Sequence, residues 1–576
     1  NGMRFLLVPR RDQPNVVSAG WVARVGSVNE RPGITGISHF FEHMMFKGTD
    51  TIGTRDPEKD ARYRAEQKKL RDEINRLVWT RQYDRFFRGE IDDPWNPAND
   101  TPELKDLRAQ LKGLMDSQQG RGMGEQLAAL KKEQAGLDAK APDAAAKAEA
   151  LKKRIAEMEL AQAAAGSIVK DEFDQVYTRN GGSGMNAFTS WDITFYFINV
   201  PSNKLELWAW MESDRLNGSV FREFYSERDV VHEERRLRTE STPTGTFQEQ
   251  FESMFWMSSP YSWPVIGWTS DLNSYTMEEA MKYWNLNYRP NNLVGIVVGD
   301  FDPQAAKATI TKYFSRLEPG KQPPTPMVTL EQDQKAEIRM NAEADTQPQV
   351  DIRYHTVPFQ HKDSYPLSVM ADVLNGRTGR LYKDMVEGSK VASSAKAQQD
   401  SRKYAGYFEF NAETKGDSTP DQLEQAWYKE LERLQKEPVS ADELQKVKNQ
   451  TMADSYRRLQ DNFFLMIQLA YAEALGDWTE INKESAKIQA VTAEDVQRVA
   501  NQYFAKTNRA VATYTRKAGA AVAVDPELAA LPAPAQAMAR QAAKKIGDEK
   551  DLTKLKEGLV QLEQQAGQRS EEHTSE

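Results

Sequence analysis

The sequence has no cysteine, which excludes disulfide bonds and thiolate metal ligands. Its apolar runs are short, and even residues 293–298 fall far below the ~20 residues that a membrane-spanning helix needs. No basic block stands out, and the net charge of −9 argues against nucleic acid as a main partner. The composition therefore predicts a soluble globular protein with no membrane span. Its length of 576 residues predicts two to four domains of ~100 to 200 residues.

Histidine is also scarce, with six in the whole chain, yet two of them stand four residues apart. His39 and His43 lie on one face of a predicted helix, with Glu42 directly before the second. Two neutral imidazoles and a carboxylate suit a tetrahedral zinc with one open position, and zinc lowers the pKa of its water from ~15.7 towards ~7. Glu42 is then the candidate general base. The alternative interpretation is a pair of helix-packing histidines.

The segment "FYSERDVVHEERR" offers two carboxylates for the same site. Glu227 and Glu234 are seven residues apart, so two helical turns bring them to one face. One of them can bind the metal while the other orients a ligand histidine. The alternative is an ordinary charged helix surface.

The chain contains two similar halves and one insertion. Residues 57–165 are rich in Lys, Glu, Gln, Ala and Leu, which predicts long amphipathic helices in a coiled-coil-like hairpin, interpreted as a solvated arm. Residues 185–200 predict one alternating strand, and residues 318–326 a proline-rich linker. The segments from Thr276 and Thr492 align at a constant offset of 216 (492 − 276), which favours two related α/β domains.

These boundaries predict an N-terminal zinc-bearing domain over 1–318, a linker over 319–332 and a homologous domain without the histidine pair over 333–516. A linker and helical tail are predicted over 517–576, and the last eight residues match a translated sequencing-adapter read and are interpreted as an artefact. The chain does not begin with Met, so we interpret its start as truncated. A signal peptide lost upstream is compatible with this interpretation.

The spacing His39-x-x-Glu42-His43 is the inverted zinc signature. With it occur "FKGT", "NAFTS", "YRPNNLVGIVVGD" and the pair Glu227-Arg228 followed by Glu234. On these residues the chain resembles the pitrilysin/insulinase family of zinc metallopeptidases over most of residues 1–516, outside the insertion. The resemblance implies an α+β fold in which two homologous α/β domains, each a sheet packed with helices, form half of a clamshell.

The resemblance also implies roles for single residues. One Zn²⁺ would be held by His39, His43 and Glu234, with Glu227 as the supporting glutamate and Glu42 as the residue that activates water. Family members bind peptides as an added strand along the edge strand that corresponds here to four residues: Asn186, Ala187, Phe188 and Thr189. Strand addition uses backbone hydrogen bonds and so tolerates many peptide sequences. Phe188 has an alternative place in the core.

One departure from the family pattern concerns the Arg and Tyr of the second domain that steady the substrate carbonyl. Alignment places Val386 and Ser393 at those positions, and neither can replace them. We therefore expect a heterodimer in which a homologous subunit supplies the Arg and Tyr. The alternative is that this segment is misaligned and that the hydrogen-bond donors for the substrate carbonyl come from nearby residues, namely Arg353, Arg380 or Tyr382.

The resulting interpretation is a zinc endopeptidase that hydrolyses unstructured peptides through a metal-activated water. The rival is a peptide-binding or scaffold subunit that keeps the fold without turnover. The expected partners are a peptide or unfolded protein substrate and the homologous subunit. Resemblance alone favours a bacterial periplasm.

Overall fold

The computed structural model describes residues 1–137 and 144–517. The expectations for the tail beyond residue 517, including the artefactual end, lie outside the described residues. Asn1–Ala342 and Pro348–Thr513 belong to one compact unit, and Glu343–Gln347 belongs with the described residues 514–517 to a second. The interactions that define the site all lie within the first unit.

The strands of the described residues form two five-stranded sheets. Their bounds are β1 Arg4–Pro9, β2 Val16–Ala23, β3 Ser183–Thr189, β4 Thr194–Pro201, β5 Leu293–Gly299, β6 Ile338–Ala344, β7 Gln349–Thr356, β8 Ala392–Ser401, β9 Gly406–Thr414 and β10 Arg509–Arg516.

Helices connect and cover the strands. The α-helices are α1 Ile37–Met44, α2 Pro57–Leu77, α3 Tyr83–Phe87, α4 Pro102–Gln118, α5 Gly124–Ala135, α6 Ala144–Ala165, α7 Glu172–Arg179, α8 Leu205–Gly218, α9 Phe224–Arg235, α10 Gly245–Phe255, α11 Thr269–Ser274, α12 Met277–Asn287, α13 Pro303–Phe314, α14 Ser364–Leu374, α15 Pro420–Lys436, α16 Ala441–Gln460, α17 Asn462–Leu475, α18 Glu480–Ala490 and α19 Ala493–Tyr503. Wider π-helical turns occur at Val78–Gln82, Arg236–Glu240 and Tyr382–Gly388.

The two sheets have the same topology. Their strand orders are β1-β5-β2-β4-β3 and β6-β10-β7-β9-β8, so each strand of the second sheet follows its counterpart by five. The repeated segment explains part of this match. Thr276 and Thr492 each cap a helix through a reciprocal capping box, and each helix leads into the equivalent strands β5 and β10. The predicted α+β fold with two related halves is confirmed.

A helix of the second half covers one face of the first sheet. In α17, Met466 and Leu469 pack against Val22, Phe195 and Val294 from the centre of that sheet. The opposite face is covered by helices of the first half, including α1 and α8. Burying the sheet on both faces fixes the position of its edge strand β3, which matters for the site.

The prediction of a single strand over residues 185–200 is wrong. The segment forms a hairpin, β3 and β4, joined by a turn in which the Ser190 N–H bonds the Ile193 carbonyl at 2.8 Å. The turn carries the large apolar side chains of Trp191 and Ile193, so it lacks the Gly or Pro that would have interrupted the alternating pattern.

The interpretation of the insertion as a solvated arm is also wrong for its first part. Helix α2 packs against α4, and a set of apolar side chains from this region belongs to the main core of the first half. The set comprises Ile74, Leu77, Val78, Trp95, Leu104 and Leu111. By contrast, α5 and α6 pack on each other around a small cluster of their own, Leu130, Leu151 and Ile155.

Candidate metal centre and peptide cleft

A buried glutamate holds the N-terminus of α1, the helix that carries the histidine pair. Glu30 accepts the N–H of Gly36 at 2.7 Å and the N–H of Ser38 at 2.8 Å. Gly36 has φ of 86°, and a Cβ there would meet the Ile266 carbonyl oxygen at 2.4 Å, so the turn into the helix requires glycine. Glu30 thus supplies the cap that a glycine side chain cannot.

Helices α1 and α9 bring together the three predicted metal ligands. Oε2 of Glu234 lies 3.7 Å from His39 Nε2 and 3.2 Å from His43 Nε2, and the ligand atoms all lie within 4.8 Å of one another. Metal bonds of about 2.0 to 2.2 Å in tetrahedral geometry separate neighbouring ligand atoms by about 3.4 Å. The two distances from Glu234 lie on either side of this value, so the three side chains form a suitable set of ligands for a zinc ion.

Glu227 orients the second histidine. Its Oε1 lies 2.9 Å from His43 Nδ1 and its Oε2 lies 2.5 Å from Lys47 Nζ. The bond to a carboxylate places a proton on Nδ1 and turns Nε2 towards Glu234. Arg238 binds the other oxygen of Glu234 at 2.7 Å. A second contact therefore holds His43 and Glu234, whereas His39 Nδ1 has no hydrogen-bond partner among the described residues.

Electrostatics differ between the two histidines. Burial and the neighbouring His43 lower the pKa of His39 to about 4. Burial also lowers the pKa of His43, but the carboxylates of Glu227 and Glu234 outweigh it and raise the value to about 9. A cation bound between these groups would compete with the proton on His43, so metal binding here is expected to release protons.

Glu42 lies beside the metal triad, which is the set of His39, His43 and Glu234, and is held by the edge strand β3. Thr189 Oγ1 donates to Glu42 Oε2 at 2.6 Å. Burial raises the pKa of Glu42, and the bond from Thr189 opposes that rise. A carboxylate of raised pKa is a stronger base when ionised and a usable acid when protonated. The sequence pointed to Thr189 as a peptide contact but gave no sign of this bond.

The strand predicted to bind peptide lies at the edge of the first sheet, because β4 is the only strand among the described residues that pairs with β3. The Ala187 N–H bonds the Asn186 side chain at 2.9 Å instead of entering the ladder, so it faces the open edge. Phe188 is half-buried and stacks on Tyr471 of α17 at a centroid distance of 5.4 Å. All four predicted strand residues line the same cavity as the triad.

That cavity has a volume of about 1310 Å³ and contains the triad, Glu42 and the edge strand. The insertion supplies another wall through Arg71, Arg108, Leu111 and Met115. Sequence reasoning missed these residues. The composition of the insertion predicted amphipathic helices, yet an amphipathic pattern does not show what the apolar face of a helix packs against.

The second half provides no lining to this cavity, since every described lining residue lies between His39 and Arg238. Val386 packs against the hydrophobic core of the second half. The Ser393 hydroxyl donates to the backbone carbonyl of Glu413 at 3.4 Å. The alternative donors are engaged elsewhere: Arg353 pairs with Glu409 at 2.9 Å, and Arg380 with Glu430 at 3.1 Å. The other alternative, Tyr382, is also absent from the described lining.

Two family models match the chain. The model described as insulinase, peptidase family M16, covers residues 7–59, and the model described as the peptidase M16 inactive domain covers residues 274–451. The first match contains the histidine motif and ends where the insertion begins. Together with the site and the paired sheets, these matches support the membership of this chain in the pitrilysin/insulinase family, peptidase family M16.

Relatives with similar sequences carry the name of zinc proteases. The zinc protease PqqE of Helicobacter pylori is 29% identical over 342 residues, which are 58% of this chain and 77% of the relative. The uncharacterized zinc protease YmxG of Bacillus subtilis is 23% identical over 342 residues, 58% of this chain and 80% of the relative.

Solved structures of low sequence identity share the fold. A protease from Helicobacter pylori has a TM-score of 0.66 at 22% identity, with coverage of 89% of this chain and 97% of that one. The periplasmic protease PqqL from Escherichia coli has a TM-score of 0.59 at 17% identity, covering 96% and 50%. Within the described residues, no helix has the length and apolar character needed to cross a membrane.

Proposed function

We propose that this protein is a zinc-dependent endopeptidase acting on unstructured peptides. The observation that carries the proposal is the convergence of His39, His43 and Glu234 beside Glu42, on a cavity bordered by a free strand edge. In this proposal the three side chains hold one Zn²⁺ and Glu42 is the general base. A structural zinc site would more often be closed by a fourth protein ligand.

The residues of the chain divide the chemistry between them. Bound zinc supplies Lewis acidity, which lowers the pKa of water from ~15.7 towards ~7. Glu42 removes a proton from the attacking water, whose oxygen bonds the peptide carbonyl carbon. When the C–N bond breaks, Glu42 gives that proton to the amine nitrogen. Thr189 holds Glu42 in place, and Glu227 fixes the orientation of His43.

The substrate is proposed to bind as an extra strand beside β3. The outward Ala187 N–H provides a backbone donor for it once the Asn186 side chain moves aside. Backbone pairing of this kind needs an extended peptide, which supports unfolded rather than folded substrates. A cavity of about 1310 Å³ has room for several residues of such a chain.

A homologous partner subunit is proposed to complete the active site. The cavity has described lining residues from the first half only, and the candidate arginines of the second half are held in ion pairs with glutamates. An oxyanion donor typically contributes about 100- to 1000-fold in rate, so its source matters. The same observation favours the second candidate, a peptide-binding subunit without turnover of its own.

The deciding experiment measures hydrolysis of a quenched fluorescent peptide library by the zinc-loaded chain. Glu42→Gln is the matched control, and a co-purified homologous subunit is added in a second series. Cleavage by the chain alone that disappears in Glu42→Gln would support the peptidase and reject the required partner. Cleavage only after the partner is added would support a shared site. Peptide binding without cleavage in both series would favour the non-catalytic candidate.

We also propose a bacterial periplasmic location, supported by the fold shared with a neighbour described as a periplasmic protease. Fractionation of the host cell, followed by detection of the chain with an antibody, tests this. Recovery in the cytoplasmic fraction would contradict it.

A further inference from the structure

Two buried arginines meet in the cavity wall. Arg71 of α2 and Arg228 of α9 both donate to one acceptor, the backbone carbonyl of Asn273, with Arg228 Nη1 at 3.3 Å. Their exposed fractions are 2% and 5%, and both side chains line the cavity that contains the metal triad. One of them comes from the insertion and the other from the helix that carries Glu234.

Neither guanidinium has a carboxylate partner among the described residues. The Nε–H groups of Arg71 and Arg228 also lack any hydrogen-bond acceptor there. Asp229 acts on both electrostatically, yet it is exposed and forms no described ion pair with either. The third nearby cation, Arg108, is already paired with Asp100 at 2.6 Å.

This arrangement is costly for packing alone. Each guanidinium presents five donors, and its Nε–H is buried without an acceptor. The neighbouring rings of Trp95 and Tyr225, centred 5.8 Å from Arg71 and 5.9 Å from Arg228, accept no conventional hydrogen bond. Buried charges in proteins are normally paired, because removal from water is expensive without a counter-ion. Burial, reinforced by the charges of Arg228 and Arg108, lowers the pKa of Arg71. A bound anion would accept hydrogen bonds from the unsatisfied donors and would offset the repulsion between the two guanidinium groups.

We propose that Arg71 and Arg228 together bind a carboxylate of the peptide substrate. This assignment rests on the proposed peptidase function and gives its site a preference for acidic peptides. Guanidinium groups suit the task because their planar donors match a carboxylate in two-point contacts.

Helix α9 carries both Arg228 and the proposed ligand Glu234, so it gives the distance between the arginine pair and the metal site. Arg228 precedes Glu234 by six residues on α9, which is about 9 Å of helix rise. An extended peptide covers that length in about three residues. The recognised carboxylate is therefore an acidic side chain, or the C-terminal carboxylate, a few residues from the cleaved bond.

Binding to the zinc-loaded Glu42→Gln variant tests the assignment without depending on hydrolysis. Fluorescent peptides carry Glu or Gln at successive positions, and separate arms end in a free acid or an amide. We expect the best acidic peptide to bind about tenfold or more tightly than its amide counterpart, with a preference that weakens as salt increases. The arm that shows the preference distinguishes a side-chain carboxylate from a terminal one.

Arg71→Met in the same background should bring the acid-to-amide ratio close to one, and Arg71→Lys should give an intermediate ratio. Arg62→Met is the matched control, since Arg62 lies exposed on α2 and does not line the cavity. Melting temperature separates binding from structure: removing an unpaired buried cation should leave the Tm unchanged or raise it. Equal binding of acidic and neutral peptides, or an unchanged ratio in a folded Arg71→Met variant, would overturn the assignment. If acidic peptides bind more tightly but the wild-type protein hydrolyses none of them, the assignment stands and only the proposed peptidase function is rejected.

Discussion

Thr189, on the edge strand, donates its hydroxyl hydrogen to Glu42, the carboxylate beside the metal triad, at 2.6 Å. The proposed peptide-binding strand and the proposed base are thereby joined by one side-chain bond. Correct placement of a base within an active site is worth large rate factors, so we propose that this contact positions Glu42.

We predict that Thr189→Ala lowers kcat roughly tenfold while KM changes less, because the strand backbone is retained. The bond from Thr189 opposes the burial that raises the pKa of Glu42. Its loss should therefore move the acidic limb of the kcat profile to higher pH. Steady-state kinetics across pH measure both effects. Thr189→Ser keeps the hydroxyl and should stay near wild type; equal losses in Ser and Ala variants would reject the positioning role.

Two adjacent glutamates on α9, Glu233 and Glu234, allow a controlled test of the metal site. Glu234 faces both histidines, whereas Glu233 is exposed and pairs with Arg236. We expect about one zinc per wild-type chain after gel filtration and close to none in Glu234→Gln, since two imidazoles alone bind zinc weakly. Metal analysis by mass spectrometry checks this. Glu233→Gln should keep its zinc, and loss in that variant would point to another ligand.

Ala187→Pro tests strand addition. The Ala187 N–H lies outside the sheet ladder, so proline at this edge position should leave the hydrogen bonds with β4 intact. It removes a donor that the peptide would use, and we expect KM to increase about tenfold. Ala187→Ser retains the N–H and serves as the control. An unchanged KM in a folded proline variant would count against peptide binding at this edge.

His355 should make the protein sensitive to acid. Its ring stacks on Phe255 at 3.9 Å, its Nδ1 has no partner among the described residues, and burial lowers its pKa to about 4. The folded state thus binds fewer protons than the unfolded state between about pH 6.5 and 4, so stability decreases as pH falls through that window.

Replacement by phenylalanine removes this titration while keeping a stacked ring. Between pH 7 and pH 5, His355→Phe should lose about 2 kcal/mol less unfolding free energy than wild type. Urea unfolding at both pH values measures the difference. His361→Asn is the control because it changes a histidine outside this stack, and an equal pH dependence in all three proteins would refute the assignment.

Local patterns in the sequence determined much of the fold and the candidate site. The i, i+4 histidines with Glu42 predicted one helix face, and the seven-residue spacing of Glu227 and Glu234 predicted another. The offset repeat from Thr276 and Thr492 predicted two related halves, which the matching strand orders confirm. Each of these features depends on residues close in the chain, where helix geometry and capping leave few alternatives.

Long-range packing decided the remainder. Only the tertiary structure joins α1 to α9 across the insertion, places the Thr189 hydroxyl on Glu42, and brings Arg71 to Arg228. It also builds the first part of the insertion into the core, whereas its composition resembles a solvated arm. Amphipathic periodicity shows that a helix buries one face, but the partner of that face depends on contacts far apart in the chain.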